Sequence, residues 1–238
     1  MLNRVRLYMV RHGHVQYFDE HQRPVNPKYA PLSEQGREQI NLLSKQLAQD
    51  IQIDQIYSST MPRSIETAQI LAKFQAQQKI ISLDGLREIK AGRLKEIPHD
   101  QAKRIIHDAY CYQSRGLENF LDGEKWQDFQ NRVIPTIQNI IHQHLGQQIL
   151  ISAHDAVNRL VLAWAYGQIG QDLQAQEQHY GAINIIDIFL ENEIIIEKRV
   201  LLQNYTPYNV FKQNLYSNAV EDVYHMYLKT KGFQENLS

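Results

Sequence analysis

The chain has 238 residues, 43% hydrophobic and 21% charged, which is enough apolar material to bury a substantial core and is the composition of an ordinary soluble globular protein. Its 25 Lys and Arg nearly balance 26 Asp and Glu, leaving a formal charge of −1, so nothing favours nucleic acid or an anionic membrane as a partner and any anion site must be local. A single cysteine, Cys111, excludes an intrachain disulfide framework and fits a reducing compartment.

The opening stretch MLNRVRLYMV lacks the long apolar core and small-residue cleavage site of a signal peptide. The later run AINIIDIFL is too short to span a bilayer and is interrupted by Asp187. We therefore expect a cytoplasmic protein with one domain over residues 1–238. RVRLYMV alternates and is rich in β-formers, which predicts a strand from Arg4 to Val10 with Arg11 and His12 just past its carboxyl end. The polar, proline-containing segment that follows is a long irregular connection of the kind usually kept for function.

Ser33 is placed to cap a helix from about Glu34 to Gln49, where Ile40, Leu43 and Leu47 recur at helical spacing. IDQIYSS reads as a second strand, Pro62 opens a second helix with an apolar face of Ile65, Ala68, Leu71 and Ala72, and KIISL reads as a third strand. Residues from about 91 to 124 are polar and form a cap insertion with a helix near His99 to Tyr112, after which a longer helix runs from Trp126 to Leu145. QQILISAH is a fourth strand ending at His154, and the next helix stops at Gly167. AINIIDIFL and EIIIEKRV complete the sheet as a hairpin around Glu191-Asn192. The extension from about 205 to 238 carries one helix, whose Val220, Val223, Tyr224 and Tyr227 would pack on this domain or on a second copy, leaving a homodimer open. Alternating strands and helices imply a three-layer α/β/α fold with a mostly parallel central sheet and a small helical cap.

In open parallel sheets, ligands bind beyond the carboxyl ends of the strands. Arg11 and His12 end the first strand, Arg63 follows the second, Glu88 the third, and His154 ends the fourth. Together they suit a tetrahedral oxyanion: Arg11 and Arg63 offer matched, charge-assisted donors, and a neutral His12 is nucleophilic near pH 7. Glu88 is the candidate proton donor to a leaving oxygen, and His154, if protonated, adds a further positive donor. This set needs no metal. Metal readings have two short footholds, His12-x-His14 and His154-Asp155, but a metal-hydrolase barrel needs more strand-helix units than this chain has. The G-x-x-x-x-G-K-[ST], G-x-G-x-x-G and G-x-S-x-G motifs are missing from the sequence, which leaves nucleotide, dinucleotide and serine-hydrolase readings without their signatures.

The segments RHG, LSEQGREQINLLSKQL, IYSSTMPRSIETAQILA, LREIKAG, GEKWQDFQNRV and ISAHDAVNRLVL, in this order from about Arg4 to Leu162, resemble the histidine phosphatase superfamily. The resemblance implies the phosphoglycerate-mutase-like fold and phosphate-ester chemistry through a phosphohistidine. It implies His12 as nucleophile, Arg11, Arg63 and His154 as the phosphate pocket, and Glu88 as acid and then base. The short spacing from Glu88 to His154 is similar to the phosphatase branch rather than to the mutases, and no cofactor is implied. Two positions depart from the pattern. Asp155 stands where the family commonly has glycine, and would either raise the pKa of His154 or cap the helix beginning there; it also keeps open a binding protein with weak chemistry. His14 replaces a small or acidic residue and is expected in the pocket wall. Arg23, Lys28, Arg87, Lys90 and Lys95 are candidates for holding a second anionic group of a small phosphorylated substrate, Tyr17 and Phe18 for lining the mouth, and Glu96 is the rival to Glu88.

Overall fold

Strand β1 (Leu2–Arg11) lies inside the sheet, pairing in parallel with β4 (Gln148–Ala153) on one side and antiparallel with β5 (Ile183–Glu191) on the other. The computed structural model describes residues 2–21, 23, 25–76, 79–93, 97, 99–215 and 219–230. Beyond β4 come β2 (Gln55–Ser59) and then β3 (Ile80–Leu83), both parallel, and beyond β5 comes β6 (Ile194–Tyr205), antiparallel. The six-stranded order is therefore β3-β2-β4-β1-β5-β6, parallel through its first four strands as the alternation of elements predicts.

The two-residue period of β1 divides the core. Val5, Leu7 and Met9 join one apolar cluster with Ile149 and Ile151, while Tyr8 and Val10 join the other with Leu150. Helices α1 (Glu34–Asp50) and α2 (Pro62–Ala72) cover the second face. In α1 the side chain of Ser33 accepts from the backbone N–H of Gly36, and Ile40, Leu43 and Leu47 are buried. Burial of about 1.5–3 kcal/mol for each of these side chains outweighs the roughly 1 kcal/mol of the cap, so tertiary packing holds the helix and the cap sets where it starts.

The opposite face is covered by α5 (Trp126–Gln143) and α6 (Asp155–Ala165). Between β3 and α5, helices α3 (His99–His107) and α4 (Tyr112–Arg115) are joined by a 3-10 turn at Asp108–Tyr110. Trp126 at the start of α5 stacks on Tyr112 at 4.4 Å and meets Phe120 edge-on at 5.4 Å, an aromatic knot that fixes this segment over the end of the sheet. Helix α7 (Ala219–Thr230) packs on α3, with Tyr224 and Leu228 buried. The side chains of Val223 and Tyr227, and residues 95 and 96, lie outside the described residues. Among the described residues no helix is long and apolar enough to cross a membrane.

Several boundaries depart from expectation, β1 running from Leu2 to Arg11 and α5 ending at Gln143 among them. The hairpin turn is Asn192-Glu193, one residue later than predicted, and both residues have positive φ (48° and 66°), the geometry that matches the twist of a two-residue hairpin. Strand β6 continues to Tyr205 because pairing with Ile183 supports it beyond the apolar run. The helix expected from His99 to Tyr112 ends at His107, since Asp108–Tyr110 tighten into the 3-10 turn.

Candidate active site

The carboxyl ends of β1 and β4 lie side by side, so the residues that follow them converge. His12 continues the β1–β4 ladder by donating its backbone N–H to Ala153 at 3.1 Å. Gly13 is required next to it, because a Cβ there would come within 2.5 Å of the Gly36 carbonyl oxygen at the start of α1. His12 Nδ1 lies 2.8 Å from the Gly13 carbonyl, an acceptor only, so this nitrogen carries the proton. Arg63 Nε donates to His12 Nε2 at 3.1 Å, so that nitrogen carries the lone pair. Burial, then Arg63 and Arg11, hold the imidazole well below its ordinary pKa. His12 is therefore a neutral base with one defined tautomer.

The two arginines reach it from different elements. Arg63, in the first turn of α2, is buried and anchored through Nη1 to the Pro27 carbonyl at 2.7 Å. Arg11 is anchored through Nη1 to the Gln178 carbonyl at 2.6 Å and lies 3.9 Å over the Tyr180 ring. Its Nε is buried without a hydrogen-bond partner among the described residues, the chemistry of a donor suited to an anion.

His154 caps the amino end of α6 through its position, fully buried, with Nε2 at 2.6 Å from Ser59 Oγ and its ring edge-on to His12 at 5.1 Å. Burial, followed by Arg63, His12 and Arg11, pushes its pKa well below the ordinary value. The protonated form is thus disfavoured here, and His154 is a neutral imidazole whose Nδ1 has no hydrogen-bond partner among the described residues.

Glu88 follows the 3-10 turn Asp84–Leu86 after β3. Its carboxyl accepts from the backbone N–H of Ile89 at 3.0 Å and of Ala156 at 3.2 Å, while Arg132 Nη2 holds its main-chain carbonyl at 3.1 Å. Burial, reinforced by Asp155 and opposed by Arg63, pushes its pKa up to about 7. It is poised to give or take a proton near neutrality.

Asp155 does neither thing expected of it. As the first residue of α6 it turns to Arg159, one helical turn on, accepting from Nε at 2.6 Å and from the Tyr110 hydroxyl at 3.1 Å. The side-chain acceptor at the amino end of α6 comes instead from Glu88, and the groups that move His154 most, after burial, are Arg63, His12 and Arg11. His14 also moves from its expected place: its Nδ1 lies 2.8 Å from Ser33 Oγ and its ring is edge-on to Tyr180 at 5.1 Å, so it braces the pocket from behind. His12 and His14 thus address separate partners and do not form a ligand pair.

Arg11, His12, Arg63, Glu88, Asp155 and Tyr180 line one cavity of about 1440 Å³. Lys28, Arg87 and Lys90 line it as well, as does Tyr17, whereas Arg23 is paired with Asp19 at 2.7 Å and Phe18 does not face it. Sequence reasoning missed Tyr180, Tyr110, Arg159 and Arg132. Arg159 was detectable from its i+4 spacing to Asp155; Tyr180 carries no local signal.

Comparison with known proteins places the chain in a family. The model of the histidine phosphatase superfamily, branch 1, matches residues 7–197. The chain is 27% identical over 157 residues to phosphoglycerate mutase-like protein 4 of Arabidopsis thaliana, covering 64% of this chain and 67% of that protein. It is 23% identical over 185 residues to the metal-independent phosphoserine phosphatase of Arabidopsis thaliana, covering 76% of each. It spans a smaller share of longer relatives, 38% of the probable 2-carboxy-D-arabinitol-1-phosphatase of Arabidopsis thaliana. Among solved structures, Bacillus stearothermophilus YhfR superposes with a TM-score of 0.67 at 26% identity, covering 84% of this chain and 96% of that one.

Proposed function

This chain belongs to branch 1 of the histidine phosphatase superfamily, and we propose that it hydrolyses a small phosphate monoester, without a metal, through a phosphohistidine on His12. The observation that carries the reading is the tautomer of His12, with Nδ1–H on the Gly13 carbonyl and the Nε2 lone pair facing Arg63. A relative named a metal-independent phosphoserine phosphatase supports the metal-free route.

In the first step His12 Nε2 attacks phosphorus, the phosphorus–oxygen ester bond breaks, and the leaving oxygen takes the proton of Glu88. Arg11, Arg63 and His154 donate to the phosphoryl oxygens as charge spreads over them. In the second step the Glu88 carboxylate takes a proton from water, whose oxygen attacks phosphorus. The nitrogen–phosphorus bond breaks, which releases phosphate and restores neutral His12 and protonated Glu88.

Brief exposure to an ester labelled in its phosphoryl group tests this directly. Label is expected on His12, stable to base and lost in acid, and absent from His12→Ala, with turnover on a panel of phosphorylated metabolites unaffected by EDTA. Full activity in His12→Ala, or loss with EDTA reversed by a divalent cation, would overturn the proposal; transfer of label to a second metabolite instead of water would make the protein a mutase.

A further inference from the structure

Two carboxyl-bearing residues are placed at the first turn of α6. Asp155 supplies the first residue of that helix, Glu88 accepts from the backbone N–H of the next, Ala156, and both line the same cavity. Their surroundings differ. Asp155 is pinned by Arg159 Nε at 2.6 Å and the Tyr110 hydroxyl at 3.1 Å, and the Arg159 guanidinium is itself locked over the Tyr110 ring at 4.2 Å and onto the Leu173 and Gln174 carbonyls. Among the described residues, the Glu88 carboxyl accepts from two backbone N–H groups and has no cation bonded to it. Buried like-charged carboxyls cannot both ionise cheaply, and the one with the cationic partner takes the charge.

We propose that Asp155 is a positioning residue: its fixed negative charge keeps the proton on Glu88, so that Glu88 can deliver it to the leaving oxygen. The inference rests on the phosphatase reading for the use of that proton, but the charge relationship stands on the site itself. Burial works against the Asp155 charge, yet Arg159 and Arg11 hold its carboxyl below the ordinary value. Of the groups facing Glu88, Arg63 on α2 and Arg11 at the end of β1 both pull its proton away. Arg132 on α5 is bound to Glu124 and to main-chain carbonyls, among them that of Glu88. His12 and His154 are neutral, and Tyr110 is held well above its ordinary pKa by burial and Asp155, so it stays a phenol. Asp155 is thus the anion that offsets the two phosphate-site arginines at Glu88.

The departure from glycine at this position gains a reason. Burial does most to keep the proton on Glu88, and Asp155 adds to it against the pull of Arg63 and Arg11.

The test is the titration of the Glu88 carboxyl carbon by NMR in the full chain, assigned against Glu88→Gln, in wild type, Asp155→Asn and the neutral pair Asp155→Asn with Arg159→Gln. The wild-type midpoint is expected at about 7; it is expected to fall by about one pH unit in Asp155→Asn, and by less in the double variant, where a cation is removed with the anion. The alkaline limb of kcat/KM should fall by the same amount. The double variant guards against a fold lost through an uncompensated Arg159. An unchanged Glu88 midpoint in either folded variant would overturn the inference. A protein that turns over no phosphate ester would remove the phosphatase reading and leave the titration result standing.

Discussion

Arg63 Nε and His12 Nε2 are 3.1 Å apart, joining the first turn of α2 to the residue that follows β1. The contact orients the lone pair of the imidazole and places a guanidinium beside the point where a phosphoryl group would be attacked. Arg63→Lys keeps a positive charge but loses the planar pair of donors and the anchor to Pro27. We expect kcat/KM to fall about 10²–10³-fold, the usual loss for one transition-state donor, with weaker inhibition by inorganic phosphate. Steady-state kinetics on any turned-over ester checks this; wild-type kcat/KM would remove Arg63 from the phosphate site.

Glu88→Gln keeps the shape of the side chain and removes the proton donor. We expect kcat to drop by about 10²–10⁴ for an alkyl phosphate, and far less for a nitrophenyl ester, whose leaving oxygen needs no proton. Because burial pushes the Glu88 carboxyl up to about 7, wild-type activity on alkyl esters should decline as pH rises through that value. A pH profile without this limb, or equal losses on both esters, would exclude Glu88 as the acid.

Stability should bend with pH in two directions. His12 and His154 are held well below the ordinary 6.5 in the fold, so the stability they contribute as neutral groups is present above 6.5 and is lost as pH falls toward their folded values. Glu88 is raised from 4.5 to about 7, so its contribution is full below 4.5 and is lost as pH rises through 7. At pH 8 the neutral Glu88→Gln should therefore melt higher than wild type, by about 2–4 °C for each kcal/mol released. Thermal melts from pH 5 to 8 measure both arms, and a lower Tm for the variant at pH 8 would contradict the burial argument.

Much of this site is written locally. Ser33 and Pro62 announce helix starts through their own backbone chemistry, and Arg11, His12 and His154 sit where short apolar strands run out. Other parts are not local at all. The bond from Ala156 to Glu88 spans 68 positions, and Tyr180 reaches Arg11 only because β5 pairs with β1. Asp155, beside His154 in sequence, is read as either raising the pKa of that imidazole or capping α6; instead Arg159 and Tyr110 offer a fixed cation and a donor that a neighbouring imidazole cannot match, and Tyr110 lies 45 positions away. The hairpin was misplaced by one residue because either Glu191-Asn192 or Asn192-Glu193 satisfies the composition of a tight turn, and only the pairing of Glu191 with Ile194 decides.

The loop after β1 depends on two glycines that touch across elements. A Cβ on Gly13 would lie 2.5 Å from the Gly36 carbonyl oxygen, and one on Gly36 would lie 2.1 Å from the His14 carbonyl oxygen. Both obstacles are backbone, so neither can swing aside as a side chain would. Gly13→Ala must push the start of α1 away from the loop, straining the Ser33 cap and the backbone bond from Ser33 to the His14 carbonyl. We expect a loss of about 1–3 kcal/mol in urea unfolding, the usual range for overpacking. We also expect activity to fall with it, because the carbonyl of residue 13 fixes the tautomer of His12. Rotation of that carbonyl would free the imidazole to exchange tautomers and leave Nε2 protonated in part of the population. Gly36→Ala should cost similar stability with less effect on kcat, since it disturbs the His14 carbonyl and not the one bonded to Nδ1. Equal losses of kcat in the two variants would show that the loop acts only through its packing.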